Sequence, residues 1–186
     1  MEYRRLYILV EGNDDERFIE RIIKPELEKR YHSVQLYRYA TQPPKKIENF
    51  IKSIVSMKAD YIILTDMNHS PCVTQRKNLL KTKKIKSRLV EDDKIIIVIK
   101  EIESWYLAGL DRGTLKKLGI SYSEKRTDSL TKERFDGLMS DKYVSRIDFM
   151  QEIPENFQVE TAKQKNKSFN YFIQKRLAPT PHSRSL

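Results

Sequence analysis

The chain of 186 residues contains a single cysteine, Cys72. One cysteine excludes an intrachain disulfide and a cysteine-rich zinc cluster. Long apolar runs are also missing, since no stretch approaches the roughly 18 consecutive apolar residues of a membrane-spanning helix. The first residues make a poor secretory signal, because their apolar run is short and no small-residue cleavage site follows it. We therefore expect a soluble, cytoplasmic protein with no membrane segment.

Acidic residues are too few to balance the basic ones. The chain has 36 Lys and Arg residues against 26 Asp and Glu residues, which gives a formal charge of +10 and an isoelectric point near 9.5. A surplus of this size favours a polyanionic partner, of which nucleic acid is the commonest. The alternative is a heavily charged surface that serves solubility or heat resistance.

Strand-like and helix-like segments alternate through residues 1–110. Short β-branched or alternating runs predict four strands, at residues 3–10, 34–39, 60–66 and 94–100. Apolar residues with helical period predict helices between them, and Pro25 predicts a kink or an early end in the first helix. This alternation predicts an α/β core, a Rossmann-like sheet of about four mostly parallel strands with helices on both faces.

The alternation weakens after this core. Residues 111–178 are expected to form a mainly helical extension packed on the core, and residues 179–186 a disordered tail. Phe169, Phe172 and Ile173 mark a last amphipathic helix. Basic residues flank Phe169, Tyr171 and Phe172, so these rings could stack on nucleic-acid bases, but packing of the phenylalanines in the core is the simpler interpretation.

Acidic residues follow three of the predicted strands. Glu11 follows the first strand, Asp66 ends the third, and Glu101 and Glu103 follow the fourth. The carboxyl ends of parallel strands meet at one edge of a sheet, where α/β proteins bind ligands. Clustered carboxylates repel one another unless a cation lies among them. Carboxylate oxygens suit Mg²⁺ or Mn²⁺, so the pattern predicts a divalent metal site.

Each acid has a simpler explanation when it is taken alone. Glu11 and Glu103 could interact with the dipoles of the helices that follow them, and Asp66 could bond to its own loop backbone. Asn13 could cap the first helix, with Glu16 completing a capping box. The joint occurrence of acids at three strand ends favours the metal site.

Several motifs resemble those of Toprim domains. VEGNDDERF is similar to the opening Glu-Gly motif of that family, and ILTDMN stands where the family carries Asp-x-Asp. IKEIESWYLAGL resembles the E-x-W-L-L-A stretch of a group of small Toprim-like proteins, the DUF4276 group, and the closing NKSFNYFIQK resembles the end of that group. The resemblance covers most of residues 5–110 and, more loosely, the last helix.

The resemblance implies a Mg²⁺-dependent phosphoryl-transfer centre, as in topoisomerases, primases and nucleases of the overcoming-lysogenization-defect type. Glu11 would act as general acid/base or metal ligand, and Asp66 as a catalytic metal ligand. The other implied ligands are Asn68 and Glu103, with Gly12, Asp15, His69 and Glu101 as additional candidates. Asn68 departs from the family pattern, because its amide replaces the second acid and carries no charge.

A basic helix is predicted over residues 73–90, just beyond Asp66. Its cations are Arg76, Lys77, Lys81, Lys83, Lys84, Lys86 and Arg88, and no acid lies among them. With Leu79, Leu80 and Ile85 toward the core, outward cations would hold a phosphate backbone without reading bases. An ordinary solvated helix face is the alternative.

Three functions remain open from the sequence. The first is a small Toprim-like nuclease that acts on DNA or RNA with Mg²⁺ or Mn²⁺, by resemblance in defence against mobile elements. The second is a binding module of the same fold, catalytically weakened by Asn68, that docks on nucleic acid or a partner protein. The third is an enzyme that acts on nucleotides or small phosphate esters at the same site. A homodimer is compatible with each.

Overall fold

Four parallel strands organise residues 3–177, the part of the chain that the computed structural model describes. They are β1 (Arg5–Val10), β2 (Ser33–Arg38), β3 (Asp60–Asp66) and β4 (Ile95–Val98). Their order in the sheet is β2-β1-β3-β4. Leu6 lies opposite Asp60, and Ile63 lies opposite Ile95. The predicted α/β class, the strand number and the parallel sheet are confirmed.

Helices connect and extend this sheet. They are α1 (Asn13–Phe18), α2 (Lys24–Leu27), α3 (Pro44–Ser56), α4 (Val73–Leu79), α5 (Glu103–Ala108), α6 (Arg112–Lys117), α7 (Lys132–Asp136), α8 (Arg146–Glu152), α9 (Val159–Lys165) and α10 (Lys167–Arg176). π-helical turns at Ile19–Ile23 and Leu80–Ile85 continue α1 and α4, and 3-10 turns lie at Asp92–Lys94 and Pro154–Asn156. No helix within residues 3–177 is both long and apolar enough to cross a membrane.

The two faces of the sheet carry separate apolar clusters, because successive side chains of a strand point to opposite sides. Ile8 and Val10 of β1 pack with α1 and the helices of the C-terminal part of the chain. Tyr7 and Leu9 face the other way and pack with α3, whose buried residues are Ile47, Ile51 and Ile54. Helices therefore cover both faces, as predicted.

The first helix differs in detail from the sequence prediction. It begins at Asn13, and the Asp15 carboxylate accepts a hydrogen bond from the Gly12 backbone amide at 3.0 Å. The predicted cap at Asn13 with Glu16 is therefore wrong by one residue. Pro25 does not end the helix early, because the chain stays helical from Asn13 through the π-helical turn at Ile19–Ile23 to Leu27. The alternative, a kink at Pro25, stays a prediction.

The basic helix is shorter than predicted. Its π-helical turn ends at Ile85, and Lys86 has a left-handed φ of +54°. An L-residue in this conformation ends a helix, so the prediction of a helix to Val90 is wrong. Arg88 consequently lies in the loop before β4.

The predicted packing of the C-terminal aromatic residues is confirmed. Trp105, Phe169 and Phe172 are fully buried, and Trp105 Nε1 donates a hydrogen bond to Ser168 Oγ at 2.8 Å. Burial excludes these three rings as a stacking surface for bases, whereas Tyr171 is 43% exposed and stacking on its ring stays a prediction. The division into a core of residues 1–110 and an extension of residues 111–178 stays a prediction. The tail predicted for residues 179–186 lies outside the described residues.

Candidate metal centre at the sheet edge

The candidate site lies where the order of the strands changes direction. The chain runs from β1 outward to β2 and then crosses to the other side of β1 for β3. The carboxyl ends of β1 and β3 are therefore neighbours at the point where open α/β sheets bind ligands. Glu11 follows β1, and Asp66 ends β3. The topology thus brings these two predicted acids to one crevice.

Asp15 and Asp66 are the acids of this crevice whose charge is not compensated. Oδ1 of each side chain is buried and has no hydrogen-bond partner among the described residues. Burial, together with the carboxylates of Asp15, Glu11, Glu103 and Glu101, raises the pKa of Asp66 to about 9. Burial also raises the pKa of Asp15 to about 7. A pair of this kind needs either protons or a cation.

Glu11 is held by three donors that converge on one of its oxygens. Oε1 accepts hydrogen bonds from the Tyr39 hydroxyl at 3.2 Å and from Arg76 Nη2 at 2.8 Å. The Thr65 hydroxyl also donates to Oε1. Because Tyr39 and Thr65 are buried, this network fixes the carboxylate in place. Arg76 faces inward because it lies one helical turn before the buried Leu80.

Glu103 is compensated by Arg146 of α8. The three guanidinium nitrogens bind three carboxylates: Nη2 donates to Glu103, Nη1 to Asp14 at 2.5 Å and Nε to Asp136 at 2.5 Å. Burial raises the pKa of Glu103, and Arg146 opposes this effect. Arg146 therefore joins the helical part of the chain to the crevice and neutralises the acid at the start of α5.

The other predicted ligands lie around the crevice. Asn68 and His69 are exposed, and Asn68 has a φ of +49°, a left-handed conformation that asparagine tolerates in turns. Glu101 Oε2 accepts the Lys132 backbone amide at 2.5 Å. At Gly12 an added Cβ would lie 3.6 Å from Asp15 Oδ2, so glycine is not required there by space. The ligand roles of these residues stay predictions.

The cations of the basic segment do not all face solvent. Lys77 donates to the Asp92 carbonyl at 2.5 Å, Lys81 pairs with the Asp92 carboxylate, and Lys84 donates to the Ala40 carbonyl. The exposed members are Lys83, Lys86 and Arg88. The predicted outward orientation is therefore wrong for Arg76, which reaches Glu11, while the predicted contact of this segment with nucleic acid stays a prediction.

The donor set of the crevice fits a divalent cation that prefers oxygen. Mg²⁺ usually takes one or two protein carboxylates and completes its shell with water and substrate oxygens. The orphaned oxygens of Asp15 and Asp66 supply two such carboxylates. Within residues 3–177, no group of three or more His, Cys, Asp or Glu side chains already converges on one metal position. The larger predicted set of Glu11, Asp66, Asn68 and Glu103 thus stays a prediction.

Comparison with known proteins supports the fold. The chain is similar to the C-terminal region of the Burkholderia pseudomallei OLD protein, with 14% identity, 95% of this chain and 100% of that chain covered and a TM-score of 0.52. The C-terminal region of the Xanthomonas campestris pv. campestris OLD protein has 14% identity, coverage of 97% and 91%, and a TM-score of 0.37. No protein-family model and no curated protein matches the sequence. The first likeness and the parallel sheet show that this chain has the Toprim-like α/β fold of the OLD C-terminal region.

Three residues that contact the acids of the crevice were not predicted from the sequence. Arg146 is 132 residues from Asp14, so no local pattern links them. Tyr39 and Thr65 donate to Glu11 from two other segments, and nothing in their immediate sequence marks them. The inward direction of Arg76 had a signal, because the spacing of four residues between Arg76 and Leu80 places both on one face of a helix.

Proposed function

We propose that the protein hydrolyses phosphodiester bonds of nucleic acid with the help of Mg²⁺ or Mn²⁺. The observation that carries this proposal is the pair of buried, unpartnered oxygens on Asp15 and Asp66 at the switch point of a parallel sheet. Two carboxyl groups with raised pKa values in one crevice are characteristic of sites that bind cations or exchange protons. The same edge of the sheet is the ligand-binding edge of α/β proteins.

Asp15 and Asp66 would hold the cation, with Glu11 beside them. A divalent ion at this position would stabilise charge on a phosphate and lower the pKa of a bound water. The described contacts of Glu11 all go to Oε1, so Oε2 is the atom that would take a proton from an attacking water. Arg76 and Tyr39 keep the carboxylate oriented while it does so.

The proposed substrate class, nucleic acid, is inferred from the positive charge of the chain. The chain carries a formal charge of +10, and Lys83, Lys86 and Arg88 are exposed on the segment that follows Arg76. Such cations bind a phosphate backbone without reading its sequence. The resemblance to Toprim domains implies the same chemistry, and membership of the DUF4276 group is a proposal that rests on the order of the three motifs.

A cleavage assay tests this function. Plasmid DNA, single-stranded DNA and RNA are incubated with the protein in Mg²⁺, in Mn²⁺ and in EDTA, and we expect cleavage only with metal. Asp66→Asn and Asp15→Asn should abolish it, whereas Asp141→Asn, at an exposed acid outside the crevice, should not. Cleavage that persists in EDTA, or in both crevice variants, would contradict the proposal.

Small phosphate compounds belong in the same assay. A cavity of about 390 Å³ lies beside Glu11, and its wall includes Tyr39, Arg76 and Leu80. A single nucleotide is of a size to enter a cavity of this volume. Turnover of mononucleotides or pyrophosphate compounds without cleavage of polymers would favour the small phosphate-ester enzyme over the nuclease.

A binding module of the same fold is the second candidate. Arg76 and Arg146 already neutralise Glu11 and Glu103, and the exposed Asn68 carries no charge, so fewer acids are free than in an acid-rich catalytic site. This function predicts salt-dependent binding of nucleic acid, or of a partner protein, with no turnover in Mg²⁺ or Mn²⁺. Measured cleavage that Asp66→Asn abolishes would exclude it.

A further inference from the structure

A basic groove lies in the C-terminal part of the chain, apart from the acidic crevice. It has a volume of about 1040 Å³, and its walls come from α6, from residues 119–126 and from the end of α9. The residues that give the groove its basic and aromatic lining are Arg112, Lys116, Tyr122, Lys125, Arg126 and Lys165. Neither the crevice nor the basic segment before β4 contributes to its lining.

Three of the groove's cations are free to bind an external anion. Arg112, Lys116 and Lys125 are exposed, and within residues 3–177 none of them forms an ion pair. The acid in the lining, Glu124, is already paired with Arg134. The unpaired charge of the groove is therefore positive.

The remaining cations of the groove are already partnered. Burial lowers the pKa of Lys165, the nearby Asp111 opposes this effect, and Arg112 acts in the same direction as burial. Lys165 also donates to the Leu110 carbonyl, and Arg126 pairs with Asp128 at 2.6 Å. A concave surface lined by several unpaired cations concentrates positive electric potential and attracts polyanions.

Tyr122 gives the groove an aromatic surface. Its ring is partly buried against the core, and its hydroxyl donates to the Arg126 carbonyl at 2.8 Å. This bond anchors the ring beside the cations. A positively charged groove with a fixed aromatic ring is the composition that holds unpaired bases, because every base can stack on a ring face.

The same stretch of chain leads from the groove to the crevice. Arg126 lines the groove, and six residues later the backbone amide of Lys132 donates to Glu101 at 2.5 Å. Glu101 is one of the carboxylates that raise the pKa of Asp66. The groove is thus connected through a short segment to the acidic edge of the sheet.

We propose that this groove binds a single-stranded stretch of nucleic acid, with Arg112, Lys116 and Lys125 on phosphates and Tyr122 against a base. It is a second binding surface beside the exposed cations of the basic segment, and it deepens the proposed function by naming a single-stranded substrate. The proposal rests on the proposed function because it takes the identity of the polymer from it. The position of the binding site is inferred from the residues that line the groove.

Fluorescence anisotropy with labelled single-stranded and duplex oligonucleotides of equal length tests the proposal in EDTA, where no cleavage interferes. The variant Arg112→Ala/Lys116→Ala/Lys125→Ala should weaken single-strand binding by about tenfold or more and reduce the log–log salt slope by about 2. The matched control Arg21→Ala/Lys46→Ala/Lys175→Ala removes three other exposed cations and should change the affinity by less than about twofold. Equal effects of the two triple variants would overturn the proposal.

The aromatic contact is tested separately. Tyr122→Leu should weaken single-strand binding by about 5- to 100-fold, the range found for loss of base stacking. It should leave duplex binding unchanged. Tyr122→Phe keeps the ring and should bind single strands within about threefold of the wild type. Equal losses with Leu and Phe, or equal losses on duplex and single strand, would contradict a stacking role.

The two proposals fail in different ways. If the wild type cleaves nucleic acid with metal but the groove variants bind single strands normally, the proposed groove site is wrong and the nuclease proposal is kept. Loss of binding in the groove variants, without any cleavage by the wild type, would support the groove and overturn the nuclease. A wild-type protein that binds no single strand in EDTA would overturn the groove.

Discussion

Asp15 and Asp66 differ from Glu11 and Glu103 in what stands next to each carboxylate, although all four belong to the same edge of the sheet. Glu11 and Glu103 are each paired with an arginine from a neighbouring helix. Oδ1 of Asp15 and of Asp66 is buried and, among residues 3–177, has no partner. The two glutamates are therefore compensated by the protein itself, and the two aspartates are not.

Within this acidic cluster, the paired glutamates therefore contribute to the stability of the fold, and the two aspartates to the proposed function. A guanidinium that binds a buried carboxylate ties two elements together, and its removal leaves a buried charge alone. A buried carboxylate without a positive partner is destabilised by the loss of its hydration, and its pKa therefore rises. Such a group persists at a ligand-binding edge because a ligand compensates it. The aspartates are for that reason the centre of the proposed site.

The largest expected effect is on catalysis. Asp66→Asn should lower metal-dependent cleavage by about 1,000-fold, because a metal ion contributes several kcal/mol to the stability of a phosphoryl-transfer transition state. Glu103→Gln should cause a smaller loss, since Arg146 already neutralises Glu103. Single-turnover rates in Mg²⁺ measure both variants, with Asp141→Asn as the control. Equal losses for Asp66→Asn and Glu103→Gln would remove the distinction between the two kinds of acid.

The next effect is on stability. Arg146→Met leaves Glu103 buried without its partner, and the free energy of unfolding should fall by about 2–4 kcal/mol. Urea unfolding measures the change. Adding Glu103→Gln to Arg146→Met should recover part of the loss, because the unpaired charge is then removed. A double variant no more stable than Arg146→Met would show that the pair with Glu103 is not what Arg146 contributes.

A smaller effect is expected on metal affinity. Arg76→Gln removes a positive charge that lies 2.8 Å from Glu11, so the crevice becomes more negative and should bind Mn²⁺ about tenfold more tightly. Lys83→Gln, at an exposed cation of the same segment, is the control and should have little effect. Isothermal titration gives both dissociation constants. Weaker Mn²⁺ binding by Arg76→Gln would contradict the idea that Arg76 and the metal compensate the same acids.

The smallest effect is on the pH dependence of stability. A carboxyl group whose pKa is raised by folding binds its proton more tightly in the folded chain, so the free energy of unfolding falls as the pH rises from about 4 toward 9. Asp66, with its pKa raised to about 9, contributes this loss, and Asp66→Asn removes it. Between pH 6 and pH 7 in EDTA, this loss is about 1.4 kcal/mol, so the melting temperature of the wild type should fall by a few °C more than that of Asp66→Asn, at about 2–4 °C per kcal/mol. Parallel melting curves would contradict the raised pKa.

The fold could be predicted because its signals are local. Four β-branched runs alternate with helical patterns, and this alternation requires a parallel sheet with crossovers. The predictions that were wrong, for the end of the basic helix and the cap of the first helix, each depend on the backbone conformation of a single residue. The first depends on the left-handed Lys86, which ends the basic helix, and the second on Gly12, which is the cap in place of Asn13.

The site could be predicted only in part. The positions of Glu11 and Asp66 follow from the strands that carry them, and the topology then brings them together. Which acids are compensated could not be predicted, because Arg146 reaches the crevice from a helix far along the chain. Asp15 was only an additional candidate, since its place in the first turn of α1 also suits an ordinary helix-capping acid.

Anomalous diffraction from a crystal soaked in Mn²⁺ tests most directly whether Asp15 and Asp66 hold a divalent cation. We expect a single strong peak at the carboxyl ends of β1 and β3, about 2.0–2.3 Å from an oxygen of each aspartate, and no peak there in Asp66→Asn crystals. Absence of a peak at this edge at millimolar Mn²⁺, with Oδ1 of both aspartates still without a hydrogen-bond partner, would contradict a metal centre.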